Sequence, residues 1–502
     1  MSATYTNPII PGFTPDPSMV FVDNTFFLVN SSFHIFPGLP IYASKNLKST
    51  SQIDLSNATT DVFSIGRNKN LVSALGHSLH RRSGGTMECS TLSGGEFRTE
   101  NFIITTRDIW ANEWSDPIFF ELDGIDPSLF VDDITGKVYV QRSYRDGAIG
   151  AQQCSIRQFE IDITSGKKLS DVRPLWGYEL AATSEGISDI EGPHLYKKDG
   201  YYYLLAAYGG IFETHKAVIA RSRDIWGPFE VYKNNPVLTA AGTDEYVQNV
   251  GHADLFQDGT GAWWAVALGV SPIGRETFLV PVAWPVGEWP VFGRAKMQFE
   301  RAGIFPQPGK EELSTPTDRI DDVYICNANL ENYEFAEEEN SIRLTPSARG
   351  LSETHGTTTF IGKRQRFTDF IALTTLCLPT EPHLKTGLSL FKENVRHVDI
   401  CYNTDTQRVT LETCLKLKGE PKVIAEVAVT AQKVQMKISS SSESYKFFIR
   451  TEIAEEWVLL GTIDALDMTA CDFTGTFLGI FAVITSLHHD ESIVRFENFV
   501  VS

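Results

Sequence analysis

Four segments of the chain repeat one plan, and this self-similarity limits the fold more than any other feature. Each starts with a polar or acidic residue, runs into a short apolar strand, turns, and returns as an aromatic-rich strand. They are DPSMVFVDNTFFLVNSS from Asp16, DPSLFVDDITGKVYVQRS from Asp126, EGPHLYKKDGYYYLLAA from Glu191 and HADLFQDGTGAWWAVAL from His252. Short apolar runs separated by Asp-Asn, Asp-Gly or Gly-containing turns read as β-hairpins. Further short strands, Phe102–Thr106 and Ala217–Ser222, fall between them, and helical periodicity is scarce. The expected fold is all-β, with a β-propeller built from the repeats. A β-sandwich whose turns look alike is the competing reading; it does not account for the recurring polar residue at the head of each repeat.

That head residue has a geometric consequence. In a propeller the innermost strand of each blade borders the central channel, so equivalent strand ends converge near the axis. Asp16, Asp126, Glu191 and His252 then become neighbours, although the gaps between them are 110, 65 and 61 residues. Converging carboxylates raise one another's proton affinity and divide into ionised and protonated members. Glycosidic hydrolysis requires that division. Each residue also has a plainer reading: Asp-Pro-Ser as a turn or cap, and Glu191-Gly192-Pro193 as a turn that starts a strand.

Charge narrows the partners. Lys and Arg number 44 against 63 Asp and Glu, a formal charge of −19. Such a surface repels phosphate backbones and anionic lipid, so neither nucleic acid nor membrane is an expected partner, whereas a neutral small oligosaccharide is. No run of 18 apolar residues offers a membrane span. The sequence does not open on a basic stretch followed by a long apolar one, and the expected location is cytoplasmic. Seven cysteines (Cys89, Cys154, Cys326, Cys377, Cys401, Cys414 and Cys471) are odd in number and scattered, with neither a disulfide framework nor a zinc spacing.

NPIIPGFTPDPS (7–18), SSFHIFPGLPIYASKNL (31–47), GIDPSLFVDD (124–133), EGPHLYKKDGYYYLLAA (191–207), GHADLFQ (251–257) and GRETFL (274–279) together resemble glycoside hydrolase family 43, in particular its β-xylosidase / α-L-arabinofuranosidase branch. The resemblance is strong over about residues 5–300. It implies a five-bladed propeller and hydrolysis with inversion. It implies that Asp16 is the general base that activates water, and that Glu191 is the general acid that protonates the leaving oxygen. Asp126 would tune the acid's pKa and hold its orientation. It also implies substrate-binding roles for Phe33, as an aromatic wall; for Arg275, as a donor to sugar hydroxyls; and for His252, which orders water or an ion near the axis. Core packing, a strand-end salt bridge and a satisfied structural histidine are the respective alternatives. Phe36 is expected only to shape the pocket rim. The chemistry requires no cofactor; a structural ion near His252 is a candidate, and no metal ligand set is otherwise expected. Enzymes of this branch often assemble, so a homo-oligomer is a candidate state.

One stretch departs from the pattern. The gap between Asp16 and Asp126 should hold a further repeat, and none is legible in ALGHSLHRRSGGTMECSTLSGGEF (74–97). Family members carry an Ala-Pro-Thr strand there. A codon choice for His77–Gly84 exists that, read two bases on, encodes Leu-Phe-Ala-Pro-Thr-Ile-Arg. Residues 77–91 are therefore expected to be a frameshifted or mis-spliced reading of the second blade, which leaves that blade incomplete. A second lesion is expected near Ser49-Thr50-Ser51. A divergent loop is the alternative.

Beyond residue 300 the texture changes. GIFPQPG (303–309) and the polar stretch after it resemble a linker. Strand-like runs follow: Ser341–Leu344, Phe370–Cys377, Gly387–Phe391, His397–Cys401, Val409–Thr413, Val423–Val429, Val434–Ile438, Tyr445–Arg450, Trp457–Leu460, Phe477–Ile484 and Ser492–Val500. They predict an antiparallel, jelly-roll-like (concanavalin A-like) β-sandwich. The expected division is a catalytic propeller over 1–302, a linker over 303–320 and the sandwich over 321–502. In family members one sandwich loop helps to close the active site; the sequence does not say which residue does so here. The leading functional expectation is an exo-acting glycosidase that removes terminal β-D-xylosyl or α-L-arabinofuranosyl residues from short hemicellulose oligosaccharides. The alternative is a catalytically impaired or lectin-like propeller left by a damaged gene.

Overall fold

Antiparallel sheets account for nearly all regular structure. The computed structural model describes residues 2–36, 38, 40–47, 51–53, 64–68, 71–83, 86–89, 98–111, 114–120, 124–145, 154–177, 189–302, 319, 321–326, 328–353, 356–415, 421–451, 456–469, 473–486 and 492–502. Among these, the helical content is one α-turn, Ala465–Met468, and two 3-10 turns, Leu330–Asn332 and Glu337–Glu339.

All four repeats are hairpins, and each supplies the first two strands of a sheet. Ser18–Val22 pairs with Thr25–Val29, Ile125–Val131 with Val138–Arg145, Ile190–Lys198 with Tyr201–Tyr208, and Gln248–Gln257 with Trp263–Ser271. The turn chemistry explains the two tightest ones. Asp23 and Asn24 lie at φ 48° and 58°, and Asp199 and Gly200 at 52° and 75°. Two consecutive positive φ values make the turn whose twist matches the strands it joins, and Asp, Asn and Gly tolerate them best. Outer strands extend each hairpin to a sheet of four or more strands, giving a propeller-like arrangement.

Another sheet is built from Ile118–Phe120, Arg98–Thr106, Leu71–Ser83 and Ser64–Asn68, with Thr86–Cys89 paired to Leu71–Ser83. The stretch that departs from the repeat pattern therefore has strand backbone over 71–83 and 86–89. Residues 84, 85, 90 and 91 lie outside the described residues, as do Ser49 and Thr50.

Apolar layers join neighbouring sheets. Met19, Phe26 and Leu28 pack with Phe256, Trp264 and Leu279. Phe130 and Tyr139 pack with Leu195, Leu204 and Val218. Side chains of this kind, fully buried, contribute roughly 1.5–3 kcal/mol each. A polar hub reinforces the same junctions. Asp254 accepts hydrogen bonds from the Ser18 hydroxyl (2.8 Å), the Met19 N–H (2.9 Å) and the Tyr196 hydroxyl (2.6 Å). Its Oδ1 also lies 3.5 Å from His194 Nδ1. The buried carboxylate thus ties the hairpins that begin at Asp16, Glu191 and His252.

The C-terminal half is a β-sandwich of an eight-stranded and a seven-stranded sheet. Leu388, Leu390, Val398, Ile400 and Leu411 from one sheet meet Val434, Met436, Ile438, Phe447 and Ile449 from the other. All eleven predicted runs fall on strands, and Val323–Ile325, Tyr333–Ala336 and Thr359–Arg364 are additional ones. The edge of the larger sheet comes from the N-terminal half: Ile35–Phe36 pairs with Val323–Ile325, Phe36 opposite Tyr324 and Ile35 opposite Ile325. The Cys326 N–H donates to the His34 carbonyl at 2.7 Å. The Phe36 ring stands 6.1 Å from that of Tyr324, so Phe36 anchors this junction.

Candidate active site

Each of the four head residues, Asp16, Asp126, Glu191 and His252, sits at or beside a break in regular strand geometry. Asp16, Asp126 and His252 lie at φ 49°, 52° and 35°, and Gly192, next to Glu191, at 55°. Register shifts follow at Ile125/Ser128, Glu191/His194, Gln248/Gly251 and Gly251/Ala253. A bulge at the head of a strand re-aims its side chain, and non-glycine residues in the left-handed region are strained features that cluster at functional sites. The recurring head residue is thus a geometric device in three of the repeats and an adjacent glycine in the fourth. At Gly192 a Cβ would come within 3.0 Å of the His252 ring, so the Glu191 strand and the His252 strand approach closely only because this side chain is absent.

Asp16 is buried. Its Oδ1 accepts from Arg275 Nη2 at 2.5 Å and lies 3.4 Å from His252 Nδ1. Burial pushes its pKa up, but the Arg275 guanidinium and then His252 outweigh it and hold the carboxyl below its ordinary value. Asp16 is the ionised member of the set. His252 is held neutral, its pKa brought down to about 4, chiefly by burial.

Asp126 is the opposite case. Its Oδ2 accepts from the Gly192 N–H at 2.9 Å, which holds it against the strand that carries Glu191. Burial first, then repulsion from Glu191 and from Asp16, pushes its carboxyl well above the usual range. Asp16 and Asp126 are buried, and Glu191 is partly exposed. The carboxylates therefore divide: Asp16, beside a guanidinium, is held low, and Asp126, repelled by the partly exposed Glu191, is pushed up.

Arg275 does more than pair with Asp16. Its Nη1 donates to the Phe473 carbonyl at 3.2 Å, and its guanidinium carbon stands 5.2 Å from the Phe33 ring centre. Phe33, at φ 55°, packs against Phe13 at 6.1 Å and Phe473 at 5.7 Å between ring centres. Phe33 and Phe473 flank the arginine that grips Asp16. Among the described residues no group of three or more His, Cys, Asp and Glu is placed to hold a metal ion.

The family described as "Glycosyl hydrolases family 43" matches residues 5–290. The chain belongs to that family. A second description, "Beta xylosidase C-terminal Concanavalin A-like domain", matches residues 317–502. Among relatives of this family 43 chain, a "Non-reducing end alpha-L-arabinofuranosidase" of Bacteroides ovatus is 32% identical over 505 residues, covering 95% of this chain and 91% of the relative. A "Xylosidase/arabinosidase" of Butyrivibrio fibrisolvens is 30% identical over 510 residues, covering 95% of each. The solved structure titled "Bacteroides ovatus Xyloglucan PUL GH43B" superposes with a TM-score of 0.80 at 27% identity, over 99% of this chain and 100% of that one.

Phe473 is one residue at the site of this glycoside hydrolase that the sequence did not reveal. It lies in CDFTGT, which has no periodicity and no motif to mark it. Described residues on either side of it in sequence are held by contacts distant in sequence. Lys392 Nζ donates to the Met468 carbonyl (2.8 Å), Arg396 to the Asp467 carbonyl (2.6 Å), and the Thr474 hydroxyl to the Lys392 carbonyl (2.8 Å). A Cβ on Gly475 would stand 2.5 Å from Phe13 Cβ, so glycine lets this loop meet the propeller. His215 was missed as well. Buried, with Nδ1 2.8 Å from the Asn249 carbonyl, it is near enough to Asp16, His252 and Arg275 for their charges to act on it.

Proposed function

We propose that this glycoside hydrolase removes terminal β-D-xylosyl or α-L-arabinofuranosyl residues from short hemicellulose oligosaccharides, with inversion. The observation that carries the reading is the unequal treatment of the carboxylates: Asp16 held ionised by Arg275 at 2.5 Å, and Asp126 held against the Glu191 strand with its pKa raised. In the proposed mechanism Asp16 takes a proton from water as the water oxygen bonds to the anomeric carbon. Glu191 gives its proton to the glycosidic oxygen as the bond between that oxygen and the anomeric carbon breaks on the opposite face. Asp126 acts through Glu191, by repulsion that keeps a proton on the pair. Phe33 offers an aromatic face to sugar C–H groups, and Arg275 and His252 contact the sugar or the water. Exo action fits a site walled by Phe473 from the sandwich. The proposed chemistry involves no cofactor.

We propose further that the propeller has five blades, with Ser64–Asn68 leading the second. The leading strands Ser18–Val22, Ser64–Asn68, Ile125–Val131, Ile190–Lys198 and Gln248–Gln257 neighbour one another in that order, and the last returns to the first. The proposed domain boundaries are 1–302 and 321–502, consistent with the family matches over 5–290 and 317–502.

The test is hydrolysis of aryl β-D-xyloside and aryl α-L-arabinofuranoside by the purified chain, with Asp16→Ala as control and the first-formed anomer read by NMR. Activity lost in the control, with inverted product, is the expected result. A folded chain that binds xylo-oligosaccharide without hydrolysing it would replace this reading with a lectin-like one.

A further inference from the structure

The outer face of the larger sandwich sheet carries a second cluster of chemically active groups, remote in sequence from the propeller carboxylates. His397 and Asp399 are two residues apart on Arg396–Asn403 and so share a face. Asp399 Oδ2 stands 2.7 Å from His397 Nδ1, and Asp399 Oδ1 accepts from the Ser389 hydroxyl at 2.6 Å. His397 Nε2 stands 2.8 Å from Ser352 Oγ. On the neighbouring strand, Arg408–Leu415, the residue directly opposite His397 is Cys414. Cys414 is partly exposed, while His397 and Asp399 are buried. The Cys414 thiol donates to the backbone carbonyl of Asn394 at 3.7 Å; Asn394 is 3% exposed, and its side-chain amide has no hydrogen-bond partner at either atom.

We propose that Cys414, His397 and Asp399 form a reactive thiolate–imidazolium site, at which Cys414 is selectively modified by soft electrophiles and by hydroperoxides.

The geometry supplies the charge arrangement. With one Asp399 oxygen taken by the Ser389 hydroxyl and the other facing His397 Nδ1, the carboxylate acts as an acceptor on both sides, and the proton resides on the imidazole. Burial alone would lower the His397 pKa; the Asp399 carboxylate outweighs it and raises it to about 10. An imidazolium beside a thiol favours the thiolate. The Cys414 pKa is lowered against its burial, by His397, directly across the strand pair, first. Of the other charged groups on this part of the sheet, Lys385 pairs with Glu412 at 2.5 Å, and Lys392 and Arg396 donate to the Met468 and Asp467 carbonyls. Cys377, also partly exposed, is the internal contrast, because burial and Glu497 raise its pKa. Cys401 is buried, and its pKa is raised well above the ordinary value.

With a hydroperoxide the thiolate sulfur bonds to one peroxide oxygen and the O–O bond breaks. The oxygen that bonds sulfur keeps its hydrogen, and the leaving alkoxide (hydroxide for hydrogen peroxide) takes the proton of His397, giving a sulfenic acid, a neutral imidazole and an alcohol or water. With iodoacetamide the sulfur displaces iodide, which leaves with the bonding pair.

The experiment is limited alkylation of the native full-length chain with iodoacetamide between pH 5 and 9, with all seven cysteine peptides quantified by mass spectrometry. Cys414 is expected to be alkylated first, at least ~10-fold faster than Cys377 at pH 6.5, with a midpoint below the ordinary thiol value of about 8.5. His397→Gln should move that midpoint up. Ser352→Ala, at an exposed turn, provides a second variant, and its midpoint should rise less. Glycosidase activity serves as the folding control. A Cys414 midpoint at the ordinary thiol value, or slower labelling of Cys414 than of Cys377, overturns the proposal, whether or not the histidine variant folds.

Discussion

Asp16 and Arg275 are 259 residues apart in the chain and 2.5 Å apart in the fold. The pair decides which carboxylate is ionised, because burial alone would push Asp16 up. Arg275→Ala removes the counter-charge and leaves a buried carboxyl that favours its protonated form. The acid limb of the kcat/KM profile should move to higher pH, and kcat/KM at neutral pH should fall by roughly 100-fold or more. Removing one partner of a buried pair also costs about 3–5 kcal/mol of stability. Unfolding is measured beside the pH profile; an acid limb that does not move would separate Arg275 from the ionisation of Asp16.

Glu191 and Asp126 are separable by leaving group and pH. Glu191→Gln keeps size and loses the proton, so natural oligosaccharides should be cleaved about 10²–10⁴-fold more slowly. A dinitrophenyl glycoside, whose leaving group needs no proton, should be affected far less. Asp126→Asn keeps an oxygen for the Gly192 N–H but removes the repulsion, so the basic limb of the profile should shift to lower pH. Equal losses on both leaving groups for Glu191→Gln would remove Glu191 from the acid role.

Phe473 brings the sandwich into the site. Phe473→Ala preserves the carbonyl that Arg275 holds and removes the ring that faces Phe33. KM should rise by about 10-fold or more while Tm stays close to wild type, because the ring is 42% exposed and stabilises little. Steady-state kinetics and thermal melts on the same preparation decide it; a large fall in Tm with an unchanged KM would make the ring a structural element.

How much of this was legible depends on whether the signal was local. The hairpins were, since turn residues such as Asp23-Asn24 and Asp199-Gly200 fix register within a few positions. Asp16, Asp126, Glu191 and His252 were legible because one geometric need recurs at the head of every repeat. Arg275 and Phe33 came through family resemblance, and the contacts Arg275–Asp16 and Phe33–Phe473 give them places. Phe473, His215 and the edge strand Ile35–Phe36 were not legible. Phe473 and Ile35–Phe36 are placed by partners hundreds of residues away, and His215 by Asn249, 34 residues on; nothing in a single strand's pattern encodes such a partner.

Residues 77–91 are where the sequence departs most from the repeat pattern. The transcript is expected to encode Leu-Phe-Ala-Pro-Thr-Ile-Arg in a shifted frame there. An unspliced, in-frame message encoding HSLHRRS would show that the strand Leu71–Ser83 is the natural one.

Glu276, next to Arg275, gives the stability of the fold a pH dependence of its own. Its side chain is 1% exposed, and its Oε1 accepts from the Gly12 N–H at 2.7 Å. Burial outweighs its hydrogen bonds and raises its pKa to about 7, from 4.5. Between those values the folded chain holds a proton that the unfolded chain releases, so this residue's contribution falls as pH rises, by about 3 kcal/mol in all. His34, His215 and His252 act in the opposite direction. With pKa values lowered to about 4, each contributes stability that is present above 6.5 and lost as pH falls. Total stability mixes both trends, but the difference between wild type and Glu276→Gln isolates the carboxyl, since the histidines cancel. Glutamine keeps an oxygen for Gly12. The variant should match wild type below pH 4.5 and exceed it by up to about 3 kcal/mol above pH 7. Urea unfolding at the two pH values measures this, and a difference that does not vary with pH would mean that Glu276 has the same pKa folded and unfolded.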